Sequence, residues 1–283
     1  MPRTITVGVD GSPGALVAVD WAAREARRRD VPLRLIHAVR QSAEVDRPLR
    51  EAEARIARRH PDLRIDSDGV AAEPVSALLT AAEGAELVVL GSPGPAGGVA
   101  GLLTGSVALA VVARSRRPVV LVPGGRHQDE HRTGARGTVS RATAVPDVVL
   151  GLDLSDPHDA VLEFAFDAAS RRAARLRVVH GWSAEPYAHD EIGAAEAGQS
   201  GATGGRTLSE VLEAWREKYP GVEVAEQAVI GTAGPHLAEA SGDASLVVVG
   251  RAERRMPVGT AIGPVTLAVL QRGSAPVAVV AHA

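Results

Sequence analysis

Two short segments of this 283-residue sequence carry residues whose types and spacing suit ligand binding. The first is a carboxylate, Asp10, which ends the apolar stretch TITVGV and precedes the turn residues GSPG. The second begins where the apolar stretch LVVL reaches Gly91, and it continues with Gly94, Gly97, Gly98, Gly101, Gly105 and Ser106. A loop with so few Cβ atoms lets its backbone approach a ligand closely. The apolar run from Val107 to Ala113 predicts a helix, whose first N–H groups have no helical partner and therefore suit a phosphate.

Both segments follow strands of a predicted parallel sheet. Leu87 to Leu90 is an all-apolar run, typical of a parallel strand that is covered on both faces. In such sheets ligands bind at the carboxyl ends of the strands, where the strand order reverses. We therefore expect Asp10 and Gly91 to flank one crevice that holds a nucleotide, with Asp10 accepting hydrogen bonds from ribose hydroxyls or a base amine. The alternative is that Asp10 caps the first helix through Ser12 and Gly14.

The second half of the chain repeats the first. Equivalent residues recur at nearly constant offsets: Asp10 and Asp153 are 143 residues apart, as are His37 and His180, whereas Gly91 and Gly250 are 159 apart, and both Gly105 to Gly263 and Pro118 to Pro276 span 158. The sequence therefore predicts two tandem domains, residues 1–124 and 146–283, joined by a polar linker over 125–145. The extra residues of the second copy fall in segment 183–206, which is rich in Ala, Gly and Glu and predicts a loop.

Strands alternate with helices in each copy, so right-handed crossovers give a parallel sheet with helices on both faces. Each domain is predicted to be a five-stranded parallel sheet flanked by helices, in the α/β class with a Rossmann-like architecture. Aromatic residues make up only 2% of the chain, so Val, Leu and Ala must build the core. His37 and His180 lie in apolar strands and recur with the domain, which favours structural histidines over catalytic bases.

Composition and missing motifs argue against several classes of protein. Cysteine is absent, which excludes disulfides, thiolate catalysis and cysteine-type zinc sites. A net charge of −3 and few aromatic side chains give little support for nucleic-acid binding. The N-terminal residues lack the apolar stretch of a signal peptide, and no apolar run has membrane-spanning length, so we expect a cytoplasmic protein without membrane contact.

The common catalytic signatures are missing as well. Lys218 is the only lysine and lies in a predicted helix, so there is no Gly-x4-Gly-Lys-[Ser/Thr] phosphate loop. There is also no Gly-x-Ser-x-Gly nucleophile elbow, and no Gly-x-Gly-x-x-Gly opens the first helix. His127 and His131 have helical spacing but lie in the linker without supporting carboxylates, so no metal site is predicted.

At these residues the chain resembles the universal stress protein family. The likeness rests on VGVDGS at the first strand, IHAV at the second, and LVVLGSPG followed by GSV and RRPVVLVP at the end of the first copy. The nucleotide motif of the family is Gly-x2-Gly-x9-Gly-[Ser/Thr]. Gly91 and Gly94 match its first two glycines, and Gly105 with Ser106 matches its last pair. The resemblance implies a fold like that of the adenine nucleotide alpha-hydrolases, present twice.

The resemblance also implies ATP as the cofactor, with Mg²⁺ when ATP is bound, and a set of site residues in the first domain. By this likeness the adenine is surrounded by Gly8, Val9, Asp10 and Ala38. The ribose lies by Leu90 and Gly91. The phosphates are held by Gly94, Gly105, Ser106 and Val107.

Each copy departs from the motif. In the first copy ten residues, Pro95 to Thr104, replace the usual nine, and Pro93 and Pro95 stiffen the loop and remove two N–H donors. In the second copy Glu253 takes the place of the second glycine, and Pro264 replaces the hydroxyl residue after Gly263. A carboxylate repels phosphate, and proline removes a donor. We therefore expect the second domain not to bind ATP in the manner of the family.

The sequence leaves three hypotheses for function. The first is a stress-response regulatory protein that binds ATP or a related adenine nucleotide through its first domain and is not an enzyme. The second is a nucleotide-free scaffold that acts through protein contacts, and the third is a slow ATPase. By likeness to the family, Val119 to Val122 and Val277 to Val280 are expected to join the two halves as an intramolecular pseudo-dimer. The sequence leaves open a homodimer of whole chains and the identity of protein partners.

Overall fold

The computed structural model describes residues 3–39, 46–92, 106–124, 145–182, 207–253 and 262–283. The chain divides into two compact units. The first comprises Met1–Ala142 with Leu270–Val279, and the second comprises Thr143–Val269 with Val280–Ala283. The predicted linker over 125–145 lies almost wholly outside the described residues, as does segment 183–206, so the predicted domain boundaries stay predictions.

Strands and helices alternate in the first unit. Its elements are β1 (Thr4–Gly8), α1 (Pro13–Arg29), β2 (Leu33–Val39), α2 (Asp46–Arg59), β3 (Ile65–Ala71), α3 (Pro74–Glu83), β4 (Ala85–Ser92), α4 (Ser106–Arg114) and β5 (Val119–Pro123). The strand order is β3-β2-β1-β4-β5, and every neighbouring pair in it is parallel. The order reverses between β1 and β4, as expected for a doubly wound sheet.

Sequence signals account for where the elements of the first unit begin and what they bury. Strands β1 and β4 bury apolar side chains on both faces, as their continuous apolar runs predict. Helix α1 begins after Ser12, whose hydroxyl accepts a hydrogen bond from the Ala15 N–H at 3.1 Å, and Pro13 stands in its first turn. Its alanine-rich face packs on β4, and Ala18, Val19 and Ala22 are fully buried there.

The second unit repeats this plan. Its elements are β6 (Asp147–Gly151), α5 (Asp159–Arg172), β7 (Leu176–Trp182), α6 (Leu208–Lys218), β8 (Val224–Ile230), α7 (Ala233–Ala240), a single 3₁₀ turn (Ser241–Asp243) and β9 (Ala244–Ala252). These strands lie in the order β9-β6-β7-β8, again with parallel neighbours. Helix α5 carries Phe166, whose ring stacks on the Trp215 and Tyr219 rings of α6 and its C-terminal end, so three of the seven Phe, Trp and Tyr residues meet at one helix contact.

The chain ends with α8 (Pro264–Arg272) and β10 (Val277–His282). Val277, Ala278 and Val279, which belong to the first unit, pair antiparallel with Leu121, Val120 and Val119 of β5. The following residues, Val280–Ala283, belong to the second unit, where the carbonyl of His282 accepts a hydrogen bond from the Glu253 N–H at 2.6 Å. The pairing of the two expected strands is thus observed, and the pseudo-dimer that they were expected to form stays a prediction.

The α/β class, the parallel sheets and the flanking helices predicted from the sequence are confirmed. The predicted strand over Leu87 to Leu90 lies within β4, and the predicted helix over Val107 to Ala113 lies within α4. Within the described ranges, no helix is both long enough and apolar enough to cross a membrane.

Candidate functional site

The end of β1 is fixed by close packing and by hydrogen bonds to β2. Gly8 lies against Leu90 of β4, and a Cβ at this position would come within 2.6 Å of the Leu90 Cδ2 atom. The next residue, Val9, is buried, and its N–H donates to the Ile36 carbonyl at 2.8 Å. Its own carbonyl accepts a hydrogen bond from Nδ1 of His37, which is also buried. These contacts therefore fix the backbone that leads from β1 to Asp10.

Asp10 is exposed, and its carboxylate is only partly engaged. Its Oδ1 accepts a hydrogen bond from the Ser12 N–H at 2.9 Å, whereas no described residue donates to its Oδ2. Ser12, not Asp10, caps α1 through its own hydroxyl. Asp10 therefore contacts Ser12 in the turn, as the structural alternative predicted, but it does not cap α1. Among the described residues, none therefore takes up the second carboxylate oxygen.

The end of β4 closely approaches the first turn of α1. A Cβ built on Gly91 would lie 2.7 Å from both the carbonyl carbon and the oxygen of Gly14, and 2.9 Å from the Ala15 nitrogen. Real Cβ atoms do not approach backbone so closely, so only glycine fits at this position. Val7 of β1 is in register with Val89 of β4, which puts the carboxyl ends of both strands side by side. The ends of β1 and β4, between which the crevice was predicted, therefore lie side by side at the first turn of α1.

The structure places the other predicted site residues as follows. Ala38 is half-buried near the end of β2, in register with Val70 of β3. Leu90 is buried against Gly8, and the half-buried Val107 follows Ser106 at the start of α4. Gly94 and Gly105, with the ten residues from Pro95 to Thr104, lie outside the described residues. Of the residues predicted to hold the phosphates, only those at the start of α4 are therefore among the described residues.

Sequence reasoning missed two neighbours of the site. Gly11 adopts a left-handed conformation with φ of 80°, and a Cβ there would lie 3.4 Å from Cγ of Pro48. The beginning of α2 thus borders the turn that follows Asp10. Gly124, just after β5, donates its N–H to the Ser92 carbonyl at the end of β4. The only signal for either contact was the cluster of turn residues around Gly11.

The second unit repeats the backbone arrangement at the end of its first strand. Gly151 lies against Leu237, with 2.6 Å between a built Cβ and the Leu237 Cδ1 atom. Leu152 donates its N–H to the Val179 carbonyl at 3.0 Å and accepts a hydrogen bond from His180 Nδ1 at 3.1 Å. Asp153 Oδ1 accepts hydrogen bonds from both the N–H and the hydroxyl of Ser155.

The two units differ at the start of the next helix. At the offsets of the repeat, His158 takes the place of Ala15 and His282 takes the place of Gly124. The two imidazole rings stack with centroids 3.8 Å apart and an interplanar angle of 31°. A Cβ on Gly250 would meet this pair, at 3.0 Å from the Nε2 atom of His282. Two rings thus occupy the place where the first unit has a methyl group and a hydrogen atom.

Burial and neighbouring charges shift the pKa of His282 within the imidazole pair. His158 Nε2 lies 3.1 Å from Asp156 Oδ2, an ion-pair distance whose angles do not make a hydrogen bond. Burial lowers the pKa of His282, and the neighbouring His158 lowers it further, whereas Asp156 acts in the opposite direction. Burial also lowers the pKa of the Arg251 guanidinium, which Glu253 partly offsets. In the part of the chain that the structure describes, no group of three or more His, Asp or Glu side chains could hold a metal ion.

Comparisons with known proteins identify the family and the fold. The universal stress protein family model matches residues 1–56, 40–123 and 146–281. A universal stress protein of Mycobacterium tuberculosis is 32% identical, over 97% of this chain and 94% of its own length. The crystal structure of a universal stress protein from Archaeoglobus fulgidus is 17% identical and covers 99% of this chain and 98% of that chain, with a TM-score of 0.65.

A further solved structure is that of a universal stress protein in complex with cAMP, which is 33% identical. It covers 44% of this chain and 98% of that chain, with a TM-score of 0.39. The family model matches most of the chain in three segments, two that overlap in the first half and one in the second, and the relative in Mycobacterium tuberculosis matches the chain almost end to end. The chain therefore belongs to the universal stress protein family.

Proposed function

We propose that the first unit binds an adenine nucleotide, with ATP as the expected ligand, and that the protein is a regulatory binding protein of the stress response. One observation carries this proposal. Asp10, at the end of β1, has a carboxylate oxygen that no described residue engages. The neighbouring end of β4 packs Gly91 on Gly14 and Ala15 and bonds Ser92 to Gly124, so these four small residues place no side chain larger than a methyl group there.

The chemistry of a nucleotide matches this arrangement. A ribose hydroxyl is a donor that the free oxygen of Asp10 can accept. Small residues let a ring or a sugar approach the backbone at the strand ends. The first turn of α4, at Ser106 and Val107, supplies unpaired N–H groups at the positive end of a helix for the phosphates. Gly94 and Gly105 are proposed to complete this phosphate site.

The second unit is not proposed to bind a nucleotide in the same way. His158 and His282 occupy the positions that correspond to Ala15 and Gly124. Glu253 brings a carboxylate to the position of Gly94, and its N–H is already bonded to the His282 carbonyl. Pro264, the first residue of α8, supplies no N–H for a phosphate. We therefore expect one nucleotide per chain.

The proposal is tested on the full chain as purified. The protein is denatured, the supernatant is analysed for adenine nucleotides by chromatography, and nucleotide-free protein is titrated calorimetrically with ATP in the presence and absence of Mg²⁺. AMP and cAMP serve as competitors. We expect one site per chain, with affinity at least about tenfold lower in Asp10→Asn, because that variant loses an ionised acceptor. Asp153→Asn is the matched control in the second unit and should bind as the wild type does.

The other outcomes favour the alternatives. Two sites per chain would contradict the assignment of His158, His282 and Glu253 as blocking residues. Absence of binding in both experiments would favour the nucleotide-free scaffold. Release of phosphate from ATP that Gly105→Asp abolishes would favour the slow ATPase. We rank this last because no general base stands out near the ends of β1 and β4 among the described residues.

A further inference from the structure

Val9, the residue after β1, is held to β2 at both of its backbone groups. Its N–H donates to the Ile36 carbonyl at 2.8 Å, and its carbonyl accepts from His37 Nδ1. Val9 is 4% exposed and His37 is 7% exposed, so both bonds are shielded from water. Hydrogen bonds in such surroundings hold the orientation of the groups that they join more firmly than exposed ones do.

The bond to Val9 determines which nitrogen of His37 carries a proton. A carbonyl oxygen can only accept a hydrogen bond, so Nδ1 must carry the hydrogen. The proton on this nitrogen is thus assigned from the hydrogen-bond partner. The donor is a side chain of β2, next to Ala38, and is not itself a residue that sequence analysis placed around the nucleotide.

The same bond sets the direction of the next peptide group. The peptide between Val9 and Asp10 is planar and trans, so the Asp10 N–H points away from the side to which the Val9 carbonyl points. The carbonyl points to β2, and β1 lies between β2 and β4. The Asp10 N–H is thereby directed to the β4 side, and no described residue accepts a hydrogen bond from it.

From this geometry we propose that His37 is a positioning residue of the nucleotide site: by holding the Val9 carbonyl it fixes the Val9–Asp10 peptide and so aims Asp10 into the crevice between β1 and β4. This inference rests on the proposed nucleotide binding of the first unit. His37 itself does not contact the nucleotide in this role. It acts through the backbone of Val9 and Asp10.

The second unit supplies an internal control. His180 Nδ1 makes the corresponding bond, to the Leu152 carbonyl at 3.1 Å, and His180 is likewise buried. Asp153 follows Leu152 as Asp10 follows Val9, but the crevice beside it holds the His158–His282 pair. Loss of the histidine bond should therefore cost stability in both units and nucleotide affinity only in the first.

The test uses four variants of the full chain: His37→Asn, His37→Gln, His37→Leu and His180→Leu. The amide nitrogen of Asn occupies nearly the place of Nδ1 and can still donate to Val9, whereas the amide of Gln corresponds to Nε2 and Leu has no donor. We expect His37→Leu and His37→Gln to weaken ATP binding about tenfold, the worth of one hydrogen bond. His37→Asn should bind within about twofold of the wild type, since one donor replaces another. His180→Leu should leave the affinity unchanged while its melting temperature falls as that of His37→Leu does.

Two outcomes would overturn the inference. The first is a folded His37→Leu or His37→Gln protein that binds ATP as tightly as the wild type. The second is an equal loss of affinity in His37→Asn and His37→Gln, which would show that the ring matters and not the Nδ1 donor. If His37→Leu does not fold, the comparison of Asn with Gln decides the question alone. Failure of the proposed function has a different signature, because the wild type itself then binds no nucleotide.

Discussion

The two copies of the strand-end site share a backbone and differ in what fills it. Gly8, Val9 and His37 of the first unit have the same contacts as Gly151, Leu152 and His180 of the second. The hydrogen-bonded ends of the strands are thus a property of the fold, kept whether or not the crevice is open. Whether a ligand has room to bind depends on a few residues beside these strand ends. The first unit has Ala15 and Gly124 there, and the second has two stacked imidazoles.

The matching glycines, Gly91 and Gly250, also serve different purposes. Gly91 lets β4 reach the backbone of α1, where a Cβ would lie 2.7 Å from Gly14. At Gly250 the nearest atoms to a built Cβ belong to side chains, at 3.0 Å for the His282 ring and 3.3 Å for Val161. An identical residue is thus required by main-chain contact in one copy and only favoured by side-chain packing in the other.

The largest expected effect tests this difference between the glycines. Gly91→Ala should lower the free energy of unfolding of the first unit by about 3 kcal/mol, because neither Gly14 nor Ala15 can move without displacing α1. Gly250→Ala should cost only about 1 kcal/mol, since the His282 ring can shift by a few tenths of an ångström. Urea unfolding of the two variants, followed by circular dichroism, measures both. Equal costs would mean that the close approach at Gly91 is not a constraint on the fold.

A smaller effect is expected when a bulky side chain of the second copy of the site is introduced into the first copy. Gly124→His places an imidazole where His282 stands in the second unit, beside the end of β4. We expect ATP affinity to fall at least about tenfold, because the ring enters the space proposed for the nucleotide. His282→Gly removes the ring from the second unit and should leave the affinity of the first site unchanged. Calorimetric titration of both variants decides the matter. Undiminished affinity in a folded Gly124→His protein would remove the steric reason for a single site per chain.

Much of this could be predicted from sequence because the relevant signals are local or periodic. The apolar runs of β1 and β4 fix two buried strands, and the repeat offsets fix two copies of one fold. The offsets even align Ala15 with His158 and Gly124 with His282. They could not show that the two histidines meet, since these residues are more than a hundred positions apart and join only when α5 and β10 are packed.

The bond from His37 to Val9 was beyond sequence reasoning for a similar reason. A histidine in an apolar strand is equally compatible with many partners, and its partner here is a backbone carbonyl that has no side-chain signature. The contacts of Asp20 show the same limit. It pairs with Arg55 and Arg59 of α2, whereas Glu163, at the same position of the second copy, pairs with the exposed Lys218. Repetition in sequence predicts the fold of the backbone better than the partners of its charged side chains.

The smallest expected effect is a pH dependence that only the second copy of the site should show. Burial and the nearby His158 lower the pKa of His282 below its usual 6.5, while Arg251 lowers it less and Asp156 and a backbone hydrogen bond with Ala283 act in the opposite direction. A histidine whose folded-state pKa is depressed binds protons more readily when unfolded. Its neutral form therefore contributes stability above about pH 6.5, and this contribution is lost as the pH falls toward the folded-state value.

Acidification should accordingly loosen the end of β10, where His282 is held to α5 by the ring stack and to Glu253 by its carbonyl. Intrinsic amide exchange slows on acidification, so protection factors are compared instead of rates. Those of residues 280–283, measured between pH 7.5 and 5.5, are expected to fall at low pH. His282→Asn should remove this dependence because it removes the imidazole whose pKa is lowered by burial and by His158. The variant His60→Asn is the control in the first unit, since burial and then Arg27 lower the pKa of His60 as well, at a place remote in sequence from β10. If His60→Asn, and not His282→Asn, abolished the pH dependence of exchange at residues 280–283, the imidazole pair would only occupy space in the second unit and would not sense pH. If His282→Asn abolishes it, His282 is also a group through which the second copy of the site responds to pH, whereas Gly124 at the matching position of the first copy has no titratable side chain.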